Sequence, residues 1–303
     1  MNKYQELENI LAKENIKYME SMKKHTTMQV GGCCDCLVTP TTIVEISNVI
    51  NWARLNNIRY FIIGNGSNLL VFDGLVHALI IKIANKFSEV KIEDNIIVAS
   101  SGISMPKIAQ IAKQNSLSGF EFACGIPGTI GGSTRMNAGA YGGEMSDIIE
   151  SVTYLNERNE ICTIHNADIK FAYRHSIFCE FKDYTILSVK FKLKVTSLHD
   201  IIVKMDENMQ ARRTKQPLEY PSAGSVFKRP VGYFVGKLIT DCNLKGVSVG
   251  GAQVSTKHAG FVINTGNATC LDVLNLIKLI QKTVYEKFGV ELKTELEIIG
   301  GIK

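Results

Sequence analysis

The spacing of apolar residues changes period several times along this chain, and each change marks an element. Over 42–56, Ile46, Val49, Ile50 and Ala53 recur at i, i+3, i+4 and i+7 behind a Thr42/Glu45 capping box, which predicts an amphipathic helix. A strand at 59–63 runs into Gly64-Asn65-Gly66-Ser67-Asn68, residues that favour turns and left-handed backbone and so leave amides free to face a ligand. Strand character returns at 76–83. Segments 91–92 and 96–99 read as a hairpin across Glu93-Asp94-Asn95, and 104–114 as a second capped helix.

From Ser151 the pattern turns to β. Segments 152–155 and 161–164 flank Glu157-Arg158-Asn159, and Val189, Phe191, Leu193 and Val195 alternate with Lys190, Lys192 and Lys194, as in a sheet with one wet face. Near Leu198 a helical stripe of Ile201, Ile202, Met205 and Met209 begins, running into Arg212-Arg213-Thr214-Lys215, and we place a domain boundary there. A short Gly-rich section follows, then a long helix over 271–288, opened by the Thr269/Asp272 pair and closed by Gly289. Helices and strands thus interleave, with no internal repeat.

At 303 residues, with 45% hydrophobic and 21% charged positions, the chain can bury a large core spread over two or three domains, which excludes global disorder. Segment 1–17 mixes charges with apolar residues and lacks the apolar run of a secretion signal; nowhere does such a run approach the ~18–20 residues of a membrane-spanning helix. Eight irregularly spaced cysteines then point to free thiols in a reducing compartment, so a cytoplasmic protein without membrane insertion is expected. Cys33 and Cys36 form a C-x-x-C, but Cys124, Cys162 and Cys179 supply no second pair at zinc-site spacing, and no metal is expected. A formal charge of +5, spread along the chain, argues against a nucleic-acid partner and is compatible with an anionic small ligand.

The stretch most informative about chemistry is Gly125-Ile126-Pro127-Gly128-Thr129-Ile130-Gly131-Gly132-Ser133-Thr134-Arg135-Met136-Asn137-Ala138-Gly139-Ala140-Tyr141-Gly142, in which six of eighteen residues are glycine. Such density costs chain entropy. It is either an irregular loop or a backbone that passes close to a bulky ligand and presents N–H groups to a pyrophosphate. Gly64 and Gly66 are not followed by a glycine at Leu69, so the Rossmann fingerprint is incomplete and a dinucleotide held by two non-Rossmann loops fits better.

Further segments join these two: Thr27-Met28-Gln29-Val30-Gly31-Gly32, Tyr173-Arg174-His175-Ser176, Pro221-Ser222-Ala223-Gly224-Ser225-Val226-Phe227-Lys228, Gly251-Ala252-Gln253-Val254-Ser255-Thr256-Lys257-His258-Ala259-Gly260-Phe261, and Glu295 near the C-terminus. In this order, over nearly the whole chain, they resemble the UDP-N-acetylenolpyruvoylglucosamine reductase family of flavoenzymes. The resemblance implies an α+β protein: a vanillyl-alcohol-oxidase (PCMH) type FAD-binding fold in two lobes, 1–85 and 86–200, plus a C-terminal α+β substrate domain, 201–303. It implies FAD as cofactor, NADPH as cosubstrate, a UDP-sugar as substrate, a monomer, and an oxidoreductase of peptidoglycan precursor synthesis acting on a CH–CH bond. The FAD would be held by Gly64, Asn65, Gly66, Ser67, Asn68 and Leu69, and by Gly125, Ile126, Pro127, Gly128, Thr129, Gly131, Gly132, Asn137, Ala138 and Gly139.

Hydride addition to the β-carbon of an enolpyruvyl acid builds charge on the carboxylate, which a fixed cation and a hydrogen-bond donor stabilise. The resemblance assigns that work to Arg174 and Glu295, and delivery of the proton at C2 to Ser225, with Arg212, Lys215 and Lys228 on the substrate. The chain departs from the pattern of many relatives at Thr294 and Glu297, where a proline and an arginine are usual, at Arg135, and at Gly260 in place of an asparagine. The short interval from Arg174 to Ser225 matches the class without an extra substrate-covering tyrosine loop. Ser225-Val226-Phe227-Lys228 also fits S-x-x-K of serine acyl-transferases, but the companion S-D-N and K-T-G are absent. A flavin- or sugar-nucleotide-binding module without turnover is the other rival.

Overall fold

The structure, a computed structural model, describes residues 3–301. The described chain forms two compact units: one takes the residues up to Tyr18 with Cys36–Asn65 and Ala78–Arg212, the other Met19–Asp35, Gly66–His77 and the residues from Arg213 on. Strands Ile16–Ser21, Cys33–Val38 and Val76–Lys82 carry the chain from one unit into the other.

The first unit contains two cores. In one, helix α1 (Ile43–Leu55) buries Ile46, Val49, Ile50 and Ala53, together with Trp52, against Leu79, Ile81 and the early Tyr4 and Leu7. Thr42 caps α1 by accepting the Glu45 N–H at 3.1 Å, but the Glu45 carboxylate accepts from the Thr41 N–H and hydroxyl at 2.6 and 2.8 Å. The reciprocal half of the expected box therefore closes one residue early. Strand Tyr60–Ile63 pairs in parallel with Leu79 to Lys82 and ends at Gly64.

The other core lies on an antiparallel five-stranded sheet, in the order Ile161–His165, Ile149–Leu155, Thr185–Lys192, Ile96–Ser100, Val90–Glu93. The expected hairpin is present, with Asp94 at φ 51° in its turn. The strand ends at Lys192, but the alternation continues through buried Leu193 and exposed Lys194 and fails at Val195, which is 75% exposed. Helix α2 (Met105–Gln114) starts at Ser104 without a side-chain cap, with a proline in its first turn, where a missing N–H costs nothing. The loop from Cys124 leads into the short α3 (Ile130–Arg135), and α4 (Leu198–Lys215) ends the unit at Arg212. The stripe expected on α4 is rotated: Ile201 and Asn208 are buried, Met205 and Met209 half-buried, and Ile202 exposed. Asn208 occupies the seam because its Nδ2 donates to the Glu121 carbonyl at 2.9 Å, which satisfies a buried amide.

The second unit is built on the antiparallel sheet Ser222–Ser225, Phe261–Asn264, Ala252–Val254, Ser248–Val249, covered by α5 (Cys270–Phe288). Both expected ends of α5 are seen: Thr269 and Asp272 cap each other reciprocally, and Gly289 closes the helix at φ 67°. Its buried face, Val273, Leu276, Ile277, Ile280 and Val284, joins one core with Leu238, Val262 and Leu292; each large side chain so buried contributes about 1.5–3 kcal/mol. Strand Glu297–Ile299 pairs in parallel with Leu69–Val71. Among the described residues no helix is long and apolar enough to cross a membrane.

Candidate active site

Within the first unit, the two glycine-bearing segments meet. A Cβ on Gly64 would lie 2.2 Å from Thr129 Oγ1, and Asn65 Nδ2 donates to the Pro127 carbonyl at 3.0 Å. Thr129 is itself fixed. It caps α3, and its neighbours bond on both sides to the segment before α2, through Ile130 N–H to Ile103 O at 2.9 Å and Met105 N–H to Gly128 O at 3.0 Å. Gly131 lies against Ser101, to whose carbonyl its N–H donates at 2.8 Å. Among the described residues the N–H groups of Asn65, Gly128 and Thr129 find no acceptor, although Gly128 and Thr129 are buried. The buried hydroxyls of Ser101 and Thr134 are likewise without partners. Buried donors are otherwise nearly always satisfied, so this set of neutral donors fits the diphosphate of a dinucleotide such as FAD.

The rest of the glycine-rich run is pinned internally. Ala138 N–H donates to Ser133 O at 2.8 Å and Ile126 N–H to Ala123 O at 3.1 Å. Asn137, fully buried at φ 44°, spends its side-chain amide on Glu144 Oε1, Ala172 O and the Ser146 N–H. Arg135 is accommodated because its guanidinium donates to the Phe178 carbonyl, while its own carbonyl accepts the Ser176 hydroxyl at 2.6 Å.

Arg174 sits at φ 53° in a two-residue turn whose ends, Ala172 and His175, exchange N–H···O bonds of 3.1 Å. Left-handed backbone is uncommon for an arginine and persists where surroundings enforce it. Arg174 Nη2 donates to the Gly139 carbonyl at 3.2 Å and its guanidinium lies 5.3 Å from the Tyr173 ring centre. Arg212, on α4, packs against Gly125, where an added Cβ would come within 2.6 Å of its Cδ. Burial pushes the Arg212 guanidinium below its ordinary pKa, opposed by Tyr141 and Cys124; the Tyr141 hydroxyl is raised by its own burial and lowered by Arg212. Among the described residues no carboxylate pairs with Arg212, which leaves a half-buried cation suited to an anionic ligand.

Within the second unit, Ser225, Lys228, Glu295 and residues 66–69 form one backbone group. Gly66, at φ 67°, turns so tightly on His25 that a Cβ would lie 2.0 Å from the His25 carbonyl. Glu295 is held between two segments: its N–H donates to Val226 O at 2.7 Å, and Asn68 Nδ2 donates to its carbonyl at 2.9 Å. Lys228 N–H donates to Lys293 O at 2.8 Å. Ser225 ends its strand opposite Phe261, and its hydroxyl has no partner among the described residues. A Cβ on Gly260 would come within 3.1 Å of the His258 ring, so a larger side chain would press on that ring, while Ser225 Oγ at 3.9 Å would be in ordinary contact. His258 is pushed down by burial, and its Nδ1 accepts the Gly260 N–H at 3.1 Å. Ser225 to Lys228 is extended, with Phe227 bridged to Thr294, so serine and lysine do not share a helical face as S-x-x-K chemistry would use them. Lys215 is exposed at the end of α4, and Glu297 is exposed on its strand.

Sequence reasoning passed over Ser101, Tyr141 as a neighbour of Arg212, and the Glu144–Ser146 partners of Asn137. The one local signal for Ser101 was the Ser-Ser-Gly step between a strand and a helix; the others depend on contacts far apart in the chain.

Two family models match the chain: the FAD binding domain over residues 34–165, and the C-terminal domain of UDP-N-acetylenolpyruvoylglucosamine reductase over 216–299. The UDP-N-acetylenolpyruvoylglucosamine reductase of Caldanaerobacter subterraneus subsp. tengcongensis is 49% identical over 294 residues, 97% of each chain. The crystal structure of the corresponding enzyme from Thermus caldophilus superposes with a TM-score of 0.80 at 33% identity, covering 93% of this chain and 98% of that one. p-Cresol methylhydroxylase, at 12% identity and a TM-score of 0.50, covers 96% of this chain and 65% of its own; it shares the fold alone. The fold is accordingly α+β, with the PCMH type of FAD-binding fold followed by the C-terminal domain of this family.

Proposed function

The chain belongs to the UDP-N-acetylenolpyruvoylglucosamine reductase family, and on that footing we propose that it reduces the enolpyruvyl group of a UDP-N-acetylglucosamine ether to the lactyl ether, UDP-N-acetylmuramate, with NADPH. The reaction belongs to peptidoglycan precursor synthesis, hence to building the cell wall and to cell shape and division, and the protein works as a cytoplasmic monomer. We read the chain as three lobes, 1–85, 86–200 and 201–303; there are three hydrophobic cores, with Met28, Val30 and Leu70 crossing into the C-terminal one and Leu155 and Leu187 into the N-terminal one.

The observation that carries the reading is the joint between the two glycine segments, where Asn65 bonds to Pro127 and the Asn65, Gly128 and Thr129 amides lack acceptors among the described residues. Those amides, with the Ser101 hydroxyl, would bind the FAD diphosphate. FAD held there would supply the hydride chemistry that links NADPH to C3 of the enolpyruvyl group. The chain's residues supply the rest. Arg174 and a protonated Glu295 stabilise the negative charge that grows on the substrate carboxylate, and Ser225 Oγ gives its proton to C2. Lys228, three residues past the strand end that carries Ser225, stabilises the resulting alkoxide. Arg212 and Lys215 bind the substrate diphosphate; the desolvated Arg212 is the stronger of the two.

Anaerobic visible spectroscopy tests this. Flavin bands that bleach with NADPH and return on adding the enolpyruvyl UDP-sugar support the proposal. A protein that takes up no flavin sinks it, and one whose flavin NADPH never bleaches is a binding module.

A further inference from the structure

We propose that Asn137 is a positioning residue for Arg174, holding the turn that carries it against the glycine-rich run. The proposal rests on the role given to Arg174 above. Asn137 is fully buried, and every polar atom of its side chain is engaged: Nδ2 donates to Ala172 O at 3.2 Å and to Glu144 Oε1 at 3.0 Å, while Oδ1 accepts the Ser146 N–H at 2.9 Å. Ala172 is the first residue of the turn in which Arg174 stands at φ 53°, and Arg174 itself reaches Gly139, two residues beyond Asn137. The turn is thus clamped at its base by Asn137 and at its tip by the arginine.

The residue type follows from the backbone. At φ 44° asparagine is among the few side chains that fit without large strain, and only an amide can donate to Ala172 and Glu144 while accepting from Ser146. Glu144 is in turn fixed: its Oε1 also accepts the Ser146 hydroxyl at 2.6 Å, and its N–H donates to Asp147 Oδ2 at 2.9 Å. The clamp therefore belongs to a network with defined partners, the setting in which one missing donor shifts a neighbour. A shift of order 1 Å in a catalytic group costs roughly a hundredfold in rate.

Asn137→Asp keeps the shape and the acceptor for Ser146 but loses both donors and sets a carboxylate beside Glu144. Should it fail to fold, Asn137→Gly tolerates the same φ and removes the clamp without adding charge. Each variant is loaded with FAD, and the two half-reactions are timed separately by stopped flow: bleaching by NADPH, then reoxidation by the enolpyruvyl UDP-sugar. Hydrogen exchange over residues 171–176 is followed in parallel. Expected are reoxidation slowed about tenfold to a hundredfold beyond any change in bleaching, faster exchange confined to the turn, and no further loss when the variant is combined with Arg174→Ala. Equal slowing of both half-reactions, unchanged exchange, or a full additional loss on top of Arg174→Ala would overturn the assignment. If wild-type reduced protein is not reoxidised by the UDP-sugar, it is the functional reading that fails, and the exchange result alone decides whether Asn137 holds the turn.

Discussion

Replacing Gly64 by alanine tests whether the joint between the two glycine segments is as tight as the structure has it. The new Cβ would stand 2.2 Å from Thr129 Oγ1 and 3.1 Å from its Cγ2. Ordinary contacts lie near 3.5 Å, so one side must move by about 1 Å. Thr129 is 2% exposed and β-branched, which leaves it little room to turn. Overpacking of this kind costs roughly 1–3 kcal/mol, and driving Thr129 Oγ1 off the α3 cap costs about 1 kcal/mol more. The sum, about 2–4 kcal/mol, is readable as a fall in the urea midpoint at unchanged slope, and FAD affinity should fall with it as the amides separate. Two controls make the reasoning exact enough to fail. Gly125→Ala meets the movable Arg212 Cδ at 2.6 Å and should cost clearly less. Gly64→Ala combined with Thr129→Gly removes the obstructing side chain at a cap cost of only about a few tenths of a kcal/mol, and should recover most of the loss. If the two glycine substitutions cost the same, or the double variant recovers nothing, the packing argument is wrong.

Gly66→Ala should be harsher and beyond such rescue, because its obstacle is the His25 carbonyl at 2.0 Å and its φ of 67° disfavours alanine; the yield of folded, flavin-loaded protein measures this. Ser225→Ala should leave bleaching by NADPH intact and slow reoxidation by the UDP-sugar by roughly a hundredfold or more, the usual worth of a general acid, as read by stopped flow. Asp272 is held below the ordinary carboxylate range, first by the Thr269 backbone N–H, so its contribution is complete above the ordinary aspartate value and is lost as pH falls through the lower folded value. Asp272→Asn should therefore be less stable than wild type at neutral pH, with the gap in melting temperature closing in acid; a gap that widens there contradicts the capping geometry.

What could be read from sequence was what neighbours in the chain decide. The ends of α5 were legible because Thr269, Asp272 and Gly289 act within one turn of the helix they bound. Glycine density marked both loops for the same reason, since an entropic cost is visible wherever it is incurred. The failures are tertiary. Ile202 left the α4 seam to Asn208 because a carbonyl at Glu121 offers the amide a partner, and Glu45 turned to Thr41 once that N–H was within reach. Nor does a glycine declare what it packs against: Gly64 serves a side chain, Gly66 a backbone carbonyl. Asn137 looked like one more residue of a cofactor loop, and its three partners lie up to 35 positions away. The passage of the chain back and forth between two units left no mark on its hydrophobic pattern.

Reduction of an enolpyruvyl ether is put to the test by mixing the flavin-loaded protein with NADPH and the enolpyruvyl UDP-sugar and following nicotinamide absorbance together with the mass of the sugar nucleotide. The expected product is heavier by a pair of hydrogens and forms mole for mole with NADPH consumed. NADPH consumption with the sugar nucleotide unchanged, or no consumption at all by protein that holds its flavin, would contradict it.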